Sequence, residues 1–521
     1  MQKEGGYVNK KALSIALIFA LLSGMLGWHF YEYINAYSKN PSSLWSRDLE
    51  VGEKSLNASS LLFYDDGKVY ILWAKEQGFC LREIYPDIKE EQNILVKDFK
   101  ESSAKKVNYR DGKIFWLQEG RLRELALNNQ KEEDLGLKGG DFALTQNYIL
   151  LSDEEGIKIF DFSASLVSFL TFSNVSKIDA FQKGDFIYIG FLTDNREENK
   201  VYYTYYDLKK GKWGKVVEIY KLFQTSTSHI DDVKIALDPK GVYVFYLITA
   251  RNGSSAYYAY FPMTGKEEVL PSKVTLPASE VISFDLISFS EDIGGAFSVP
   301  VKYRVSGPFT QYGVEILWAK FKEGELKEVS FITKEGKWAS APYLISTPQG
   351  LFISWIETGG FSKYVIKVAS TNKDFMQKVA GIRKIDTAKA LSLLMYSLAS
   401  AVFLGGIMSF VVTFPAYLWL IIGLFFESGI FKKESLNFYI AVILYTAFKY
   451  TVYPPKVLKT LTDLFPLYNN ILIPIFTVVL ALIFTKMYFK GKIGSGFGAF
   501  TFLWIVDSLI TNIFYLPFMA K

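Results

Sequence analysis

The sequence predicts an all-β repeat domain carried between α-helical transmembrane segments, one on its N-terminal side and four or five on its C-terminal side. Three observations carry this. The apolar half of the 521 residues is spread so unevenly that one part belongs in lipid. Uncharged stretches near both ends are long enough to cross a bilayer. Between them, at about residues 44–375, short alternating strands rich in Tyr, Phe, Ile and Val are closed by Gly, Asp, Asn or Lys turns.

Residues 12–28 read ALSIALIFALLSGMLGW, with Lys3, Lys10 and Lys11 before them. That fits a spanning helix or a signal peptide. No convincing small-x-small cleavage site follows, and Trp28, Tyr31, Tyr33 and Tyr37 form a belt suited to an interface. We therefore read 12–31 as a retained anchor, with residues 1–11 cytoplasmic and the middle domain extracytoplasmic.

Residues 376–389, with Lys378, Arg383, Lys384 and Lys389, read as a basic connector whose cations meet lipid headgroups. A multi-span bundle is expected over 390–521. Its first uncharged stretch, 390–426, is too long for one span of about 20 residues. It is either two helices turning near Thr413 and Pro415 or one span followed by an interfacial piece. Further apolar segments lie at about 436–453, 468–488 and 497–518. Counting one helix before residue 431 puts Lys432, Lys433, Lys490 and Lys492 inside, which suits the positive-inside tendency better than counting two.

The middle domain repeats itself. LFYDDGKVYILWA from Leu62 and VNYRDGKIFWLQE from Val107 are each a strand, a tight turn and a second strand bearing Trp. The shape recurs from Phe142, Asp179, Ile235, Ser288 and Tyr343. The turn positions Gly67, Gly112, Asn147, Gly184, Gly241, Gly294 and Gly350 are spaced by about 35 to 57 residues. That is the range of propeller blades, four-stranded sheets that hide their apolar faces by stacking around a channel. The repeats resemble β-propeller blades, and six to eight are expected. The last, TPQGLFISWIETGGFSKYVIKVASTNKDF from Thr347, is similar in strand pattern to sialidase-like propellers. The S-x-D-x-G-x-T-W box of that family is missing from this sequence, so the resemblance implies neither its activity nor its sugar-binding arginines.

Composition narrows the chemistry. A net charge of +5 from interspersed Lys, Arg, Asp and Glu leaves no footprint for nucleic acid. Cys80 is the single cysteine, so no intramolecular disulfide forms, and His29 and His229 alone cannot build a multi-histidine metal site. His229 beside Asp231 and Asp232 reads as a surface residue, His29 as interfacial. GSGFG from Gly494 follows a membrane segment rather than a strand and lacks the Lys of a phosphate loop. Neither cofactor nor metal is expected. The pairs Asp65–Asp66 and Glu154–Glu155 fall in hairpin turns, where Asp is favoured for backbone reasons.

Two constellations remain. Asp507 lies mid-way along the last apolar segment, where a charge costs roughly 2.5–3.5 kcal/mol unless it faces protein or water. Lys449 near the end of another helix is its candidate partner, and Asn512 lies near the same face. In the repeat domain, Tyr203 and Tyr205, with Tyr202 and Tyr206 and with Trp213 nearby, suit stacking on sugar or a protein partner, although alternation buries about half of them.

The resulting expectation is a multi-pass membrane protein that displays a propeller for a protein or glycan, within a membrane complex that includes other membrane proteins. One alternative is a transporter or permease subunit with the propeller as receptor. Another is a surface carbohydrate hydrolase working through carboxylates.

Overall fold

The computed structural model describes residues 10–54, 60–97, 99–101, 106–195, 197–263, 269–278, 280–289, 291–306, 309–334, 338–360, 363–426, 433–452, 469–489 and 496–514. Lys3, Pro454, Pro455, Lys456, Lys459, Lys432, Lys490 and Lys492 lie outside them. The chain divides into two units: Asn40–Tyr303 with Gln311–Ala380, and Met1–Lys39 with Arg304–Thr310 and Gly381–Lys521.

The first unit is a seven-bladed β-propeller. Its seven antiparallel sheets follow one another along the chain. The first strands of the blades are Leu61–Asp65, Val107–Arg110, Asp141–Leu144, Val175–Lys183, His229–Leu237, Ser283–Ser288 and Ala339–Thr347. Each of these packs against the next, and the last against the first, so they line the central channel. Every one of the seven repeats read from the sequence is the first hairpin of a blade. In the first two, Asp66–Gly67 and Asp111–Gly112 both take positive φ (43° and 78°, 47° and 76°), the turn that matches strand twist. Gly294 is a correction. It is no turn residue but lies inside strand Ile293–Ser306, where a Cβ would stand 1.9 Å from Cη2 of Trp318.

The seventh blade is completed from the other end of the domain. Strand Leu49–Lys54 pairs antiparallel with Lys363–Ser370 and forms the outermost strand of that sheet. The two chain ends meet there: Ser46 N–H donates to the Ser370 carbonyl at 2.9 Å, and Ser370 N–H to Ser46 Oγ at 2.9 Å. Closure between first and last repeat removes the open edge that a linear array would leave. Helix α2, which follows α1 (Lys10–Ser38) in chain order, spans Lys373–Val379; Asn372 caps it, and Phe375 and Val379 are buried against the first and seventh blades.

Tryptophans recur at one blade position. Trp73, Trp116 and Trp355 are almost fully buried on second strands. Trp116 Nε1 donates to Gln118 at 3.3 Å and Trp355 Nε1 to Glu357 at 3.5 Å, each to the residue two further on along the same face.

The second unit is helical. It comprises α1, α3 (Lys384–Ser400), α4 (Gly406–Phe425), α5 (Glu434–Val452), α6 (Asn469–Tyr488) and α7 (Gly496–Phe514). A π-helical turn, Ala401–Gly405, joins α3 to α4 without a break. The whole of Lys384–Phe425 is therefore one helix of 42 residues, and of the two arrangements left open for it the one with a turn near Thr413 and Pro415 does not occur; Pro415 lies inside α4. Among the described residues, three helices are long and apolar enough to cross a membrane: Lys10–Ser38, Lys384–Phe425 and Gly496–Phe514. Residues Pro474–Tyr488 form a shorter apolar helix. Helix α4 packs along α5, α6 along α7, and α1 along α3, α6 and α7.

Candidate functional site

The most concentrated buried chemistry of the helical unit is the Lys449–Asp507 pair. Asp507 is 0% exposed and Lys449 1%. Lys449 Nζ donates to Asp507 Oδ1 at 2.9 Å and to Oδ2 at 2.7 Å, and to Thr477 Oγ1 and Thr511 Oγ1 at 2.8 Å each. Tyr445 OH donates to the same carboxylate. The spacing explains the convergence. Tyr445 and Lys449 stand four apart on α5, as do Asp507 and Thr511 on α7, so each pair shares a helix face. Thr477 arrives from α6, where its hydroxyl also donates to the Pro474 carbonyl at 3.1 Å. Three helices are thus tied at one point, with acceptors supplied for the ammonium and donors for the carboxylate. The pairing of Asp507 with Lys449 was foreseeable from sequence; the hydroxyl shell was not, because Thr and Tyr on apolar helices look ordinary.

Asn512 reaches the π turn. Its side chain packs against Gly405 of the π turn, where an added Cβ would fall 2.4 Å from its Cγ. The face of α7 that meets α4 carries its own polar contacts: Ser508 with Ser409, Trp504 Nε1 donating to Ser409 at 2.7 Å, and Tyr417 OH donating to Thr501 at 3.0 Å. His29 on α1 lies 2.9 Å from the Ile513 carbonyl through Nε2, and Ser14 donates to the Phe484 carbonyl at 3.2 Å. Helix α1 is thereby bonded to both α6 and α7.

The propeller carries a second constellation in its channel. Lys106, Asp141, Lys177, Asp179, Asp232 and Lys234 line a cavity of 330 Å³. Several of these side chains fasten one blade to the next. Asp141 accepts from Ile178 N–H at 2.9 Å, Asp179 from Ile235 N–H at 2.9 Å, and Asp285 from Leu344 N–H at 2.8 Å, each across a blade junction. Lys106 bridges Asp141 and the Ile178 carbonyl, both at 3.0 Å, and Lys234 reaches Asp285 at 3.3 Å. Burial raises the carboxyls of Asp179 and Asp285 above the usual range, against the pull of Lys234. Burial alone would depress the Lys234 ammonium, but Asp285, Asp179 and Asp232 outweigh it and hold the ammonium well above its usual value. Hydrogen-bonded in this way, the cluster acts as a belt around the channel.

The aromatic candidates do not converge. Tyr203 stacks on Phe261 of the fifth blade at 4.5 Å between ring centroids. Tyr205 packs on Phe186 at 5.8 Å and covers Gly214. Trp213 donates through Nε1 to Ser168 of the third blade at 2.9 Å and packs on Tyr206 at 5.1 Å. Tyr203 and Trp213 pack between blades, and Tyr205 packs within its own blade. His229 lies 2.8 Å from Asp231 at the exposed start of its strand, and among the described residues no group of His, Cys, Asp and Glu is arranged to hold a metal ion.

No family model matches the chain, and neither does any curated protein. Solved structures do. One is the N-terminal domain of Nup159, at 10% identity over 64% of this chain and 97% of that chain, with a TM-score of 0.39. A PL25 polysaccharide lyase, an ulvan lyase bound to a GlcA–Rha3S saccharide, is 12% identical over 67% of this chain and 99% of that chain, with a TM-score of 0.41. A Trypanosoma rangeli sialidase mutant displaying trans-sialidase activity is 8% identical over 65% of this chain and 61% of that chain, with a TM-score of 0.36. At such identities their ligands and activities stay with those proteins.

Proposed function

We propose that this chain is a membrane-anchored recognition platform: a rigid propeller held at the outer surface for a protein or glycan, with the helical unit as its scaffold and as its contact with other membrane proteins. The observation that carries the reading is the closure of the seventh blade, in which Ser46, ahead of the first repeat, bonds to Ser370, at the end of the last. The helical unit supports the scaffold role, since Lys449 and Asp507 satisfy each other. A carboxylate that already accepts from an ammonium and a phenol is poorly placed to trade ions or protons.

The topology follows from charge. Helix α1 leaves the cytoplasm after Lys10 and Lys11. Lys384–Phe425, being one helix, makes one return crossing. Lys432, Lys433, Lys490 and Lys492 are then all inside, with α5, α6 and α7 completing four crossings on the C-terminal side. The test is thiol labelling of intact cells with an impermeant reagent, using a Cys80→Ala background and a single cysteine at Ser254 in the fifth blade. Labelling without lysis is expected. Protection that lysis relieves would put the propeller inside and overturn the reading.

A transport role is the second reading, and the buried ion pair is what favours it. It requires that Asp507→Asn abolish flux in protein that still folds and assembles.

A further inference from the structure

One cavity of the propeller unit belongs neither to the channel nor to the helices. It is an open cleft of 1210 Å³ between the closing strand Leu49–Lys54 of the seventh blade and the outer part of the first blade. Two strand ends of the propeller border it. Leu49–Lys54 pairs on one side with Lys363–Ser370, and Gln92–Leu95 on one side with Gly78–Tyr85; no strand takes the other edge of either among the described residues. Residues 50–54 and 93–95 line the cleft, so edge that no strand pairs faces it, with the Val51 carbonyl taken by the Arg82 side chain.

The walls are fixed and bare. Arg82 ties the first blade to the closing strand, donating through Nη1 to the Val51 carbonyl at 2.6 Å and through Nε to the Lys89 carbonyl at 2.7 Å. Gly52 and Gly78 border the cleft, Gly52 partly exposed and Gly78 buried, and packing leaves neither of them room for a side chain. A Cβ on Gly52 would fall 2.5 Å from the Trp73 ring, and one on Gly78 2.1 Å from the Ile94 carbonyl. An incoming main chain can therefore approach closely.

Charge selects what enters. Glu50, Glu53, Glu76, Glu90, Glu91 and Glu101 line the cleft against four cations, Lys54, Lys75, Arg82 and Lys363, a balance of −2. Lys75 is paired with Glu91 at 3.0 Å, and Glu50 lies 3.6 Å from Lys367. Glu53, Glu76 and Glu90 are exposed and form no ion pair among the described residues. Acidic or sulfated polymers are disfavoured there.

We infer that this cleft binds an extended, lysine- or arginine-bearing segment of a partner protein, which adds to the free edge of Leu49–Lys54 as a further strand and sets its cations against Glu53, Glu76 and Glu90. Main-chain hydrogen bonds supply affinity in such strand addition, and the side chains supply selection. The inference rests on the platform reading and names its ligand.

The test uses the full-length chain in detergent and a fluorescent eight-residue peptide of alternating Lys and Val, read by anisotropy. Three controls accompany it: the Glu–Val peptide, the Lys–Val peptide with alternate backbone nitrogens methylated, and a glucosamine oligomer. Binding by the Lys–Val peptide is expected, weakening as salt rises. The Glu–Val and N-methylated peptides should each bind at least tenfold more weakly. The triple variant Glu53→Lys/Glu76→Lys/Glu90→Lys changes only exposed side chains, and it should lose binding while its thermal unfolding is unchanged. Equal binding by the N-methylated peptide would overturn strand addition, and equal binding by the triple variant would overturn the site. Tighter binding of the sugar oligomer at the same residues would replace a peptide ligand with a glycan. None of these outcomes depends on the side of the membrane, so thiol labelling at Ser254 can fail while peptide binding stands, and the reverse.

Discussion

Lys449 Nζ lies 2.7 Å from Asp507 Oδ2 with both side chains sealed from solvent, an ion pair between α5 and α7 that Thr477 of α6 completes. Removing one partner leaves an uncompensated charge where no water reaches it. Asp507→Asn or Lys449→Met should each destabilise the folded helical unit by about 3–5 kcal/mol, whereas removing both charges in Lys449→Met/Asp507→Leu should recover most of the loss. Thermal unfolding and monodispersity in detergent report this. A double variant no better than the singles would mean that the pair contributes more than mutual neutralisation.

The tryptophans of the first, second and seventh blades make a second prediction. Gln118 and Glu357 accept from Trp116 and Trp355, but Lys75 stands at the equivalent place after Trp73 and has no acceptor to offer; Trp73 Nε1 is buried without a partner. Lys75→Gln should supply one and stabilise the propeller by about 1 kcal/mol, a typical net value for one buried hydrogen bond. Against this stands the loss of the exposed Lys75–Glu91 pair, worth at most about 1 kcal/mol. Combining Lys75→Gln with Glu91→Gln separates the two effects, and the gain over Glu91→Gln alone is the quantity to measure by unfolding.

Local chemistry made the seven hairpins legible. A turn such as Asp66–Gly67 is written in adjacent residues, and strand alternation needs only a window of eight. Long-range pairing was not legible in the same way. Leu49–Lys54 matches none of the seven repeats, and its partner, Lys363–Ser370, lies more than 300 residues away. Gly294 imitated a turn residue because the sequence does not display Trp318 folding over it. Pro415 imitated a break, yet a helix tolerates it when neighbouring groups and small adjustments meet the freed backbone groups. At the buried site the two charges were readable, since an ionisable group in an apolar run is conspicuous. The shell of Tyr445, Thr477 and Thr511 depends on how three helices rotate against one another.

Gly294→Ala offers a strict check of the sixth blade. The new Cβ would fall 1.9 Å from Trp318, and Trp318 is itself wedged edge-on against Trp45 at 5.7 Å and Phe289 at 6.0 Å, so it has little room to retreat. Overpacking of this kind costs roughly 1–3 kcal/mol. Pairing it with Trp318→Leu should relieve the clash, making the double variant more stable than the sum of the single effects predicts. Simple additivity would show that Trp318 moves aside freely.

Lys54 gives the propeller a pH signature. Burial, offset only in part by Glu101, lowers its ammonium from 10.5 to about 8. Between those two values the folded chain holds a neutral amine while the unfolded chain still binds the proton. The unfolded state therefore carries more protons, and stability from this group rises with pH across the window. At about 1.36 kcal/mol per pKa unit the full rise is on the order of 3 kcal/mol. Other lysines and tyrosines titrate nearby, so the measurement is a difference: unfolding of the full chain and of Lys54→Met, followed from pH 8 to 10.5. The parent should gain on the variant by that amount as pH rises. Parallel curves would mean that the Lys54 ammonium keeps its charge in contact with water, and the wall of the cleft beside Glu53 would then be open where the structure closes it.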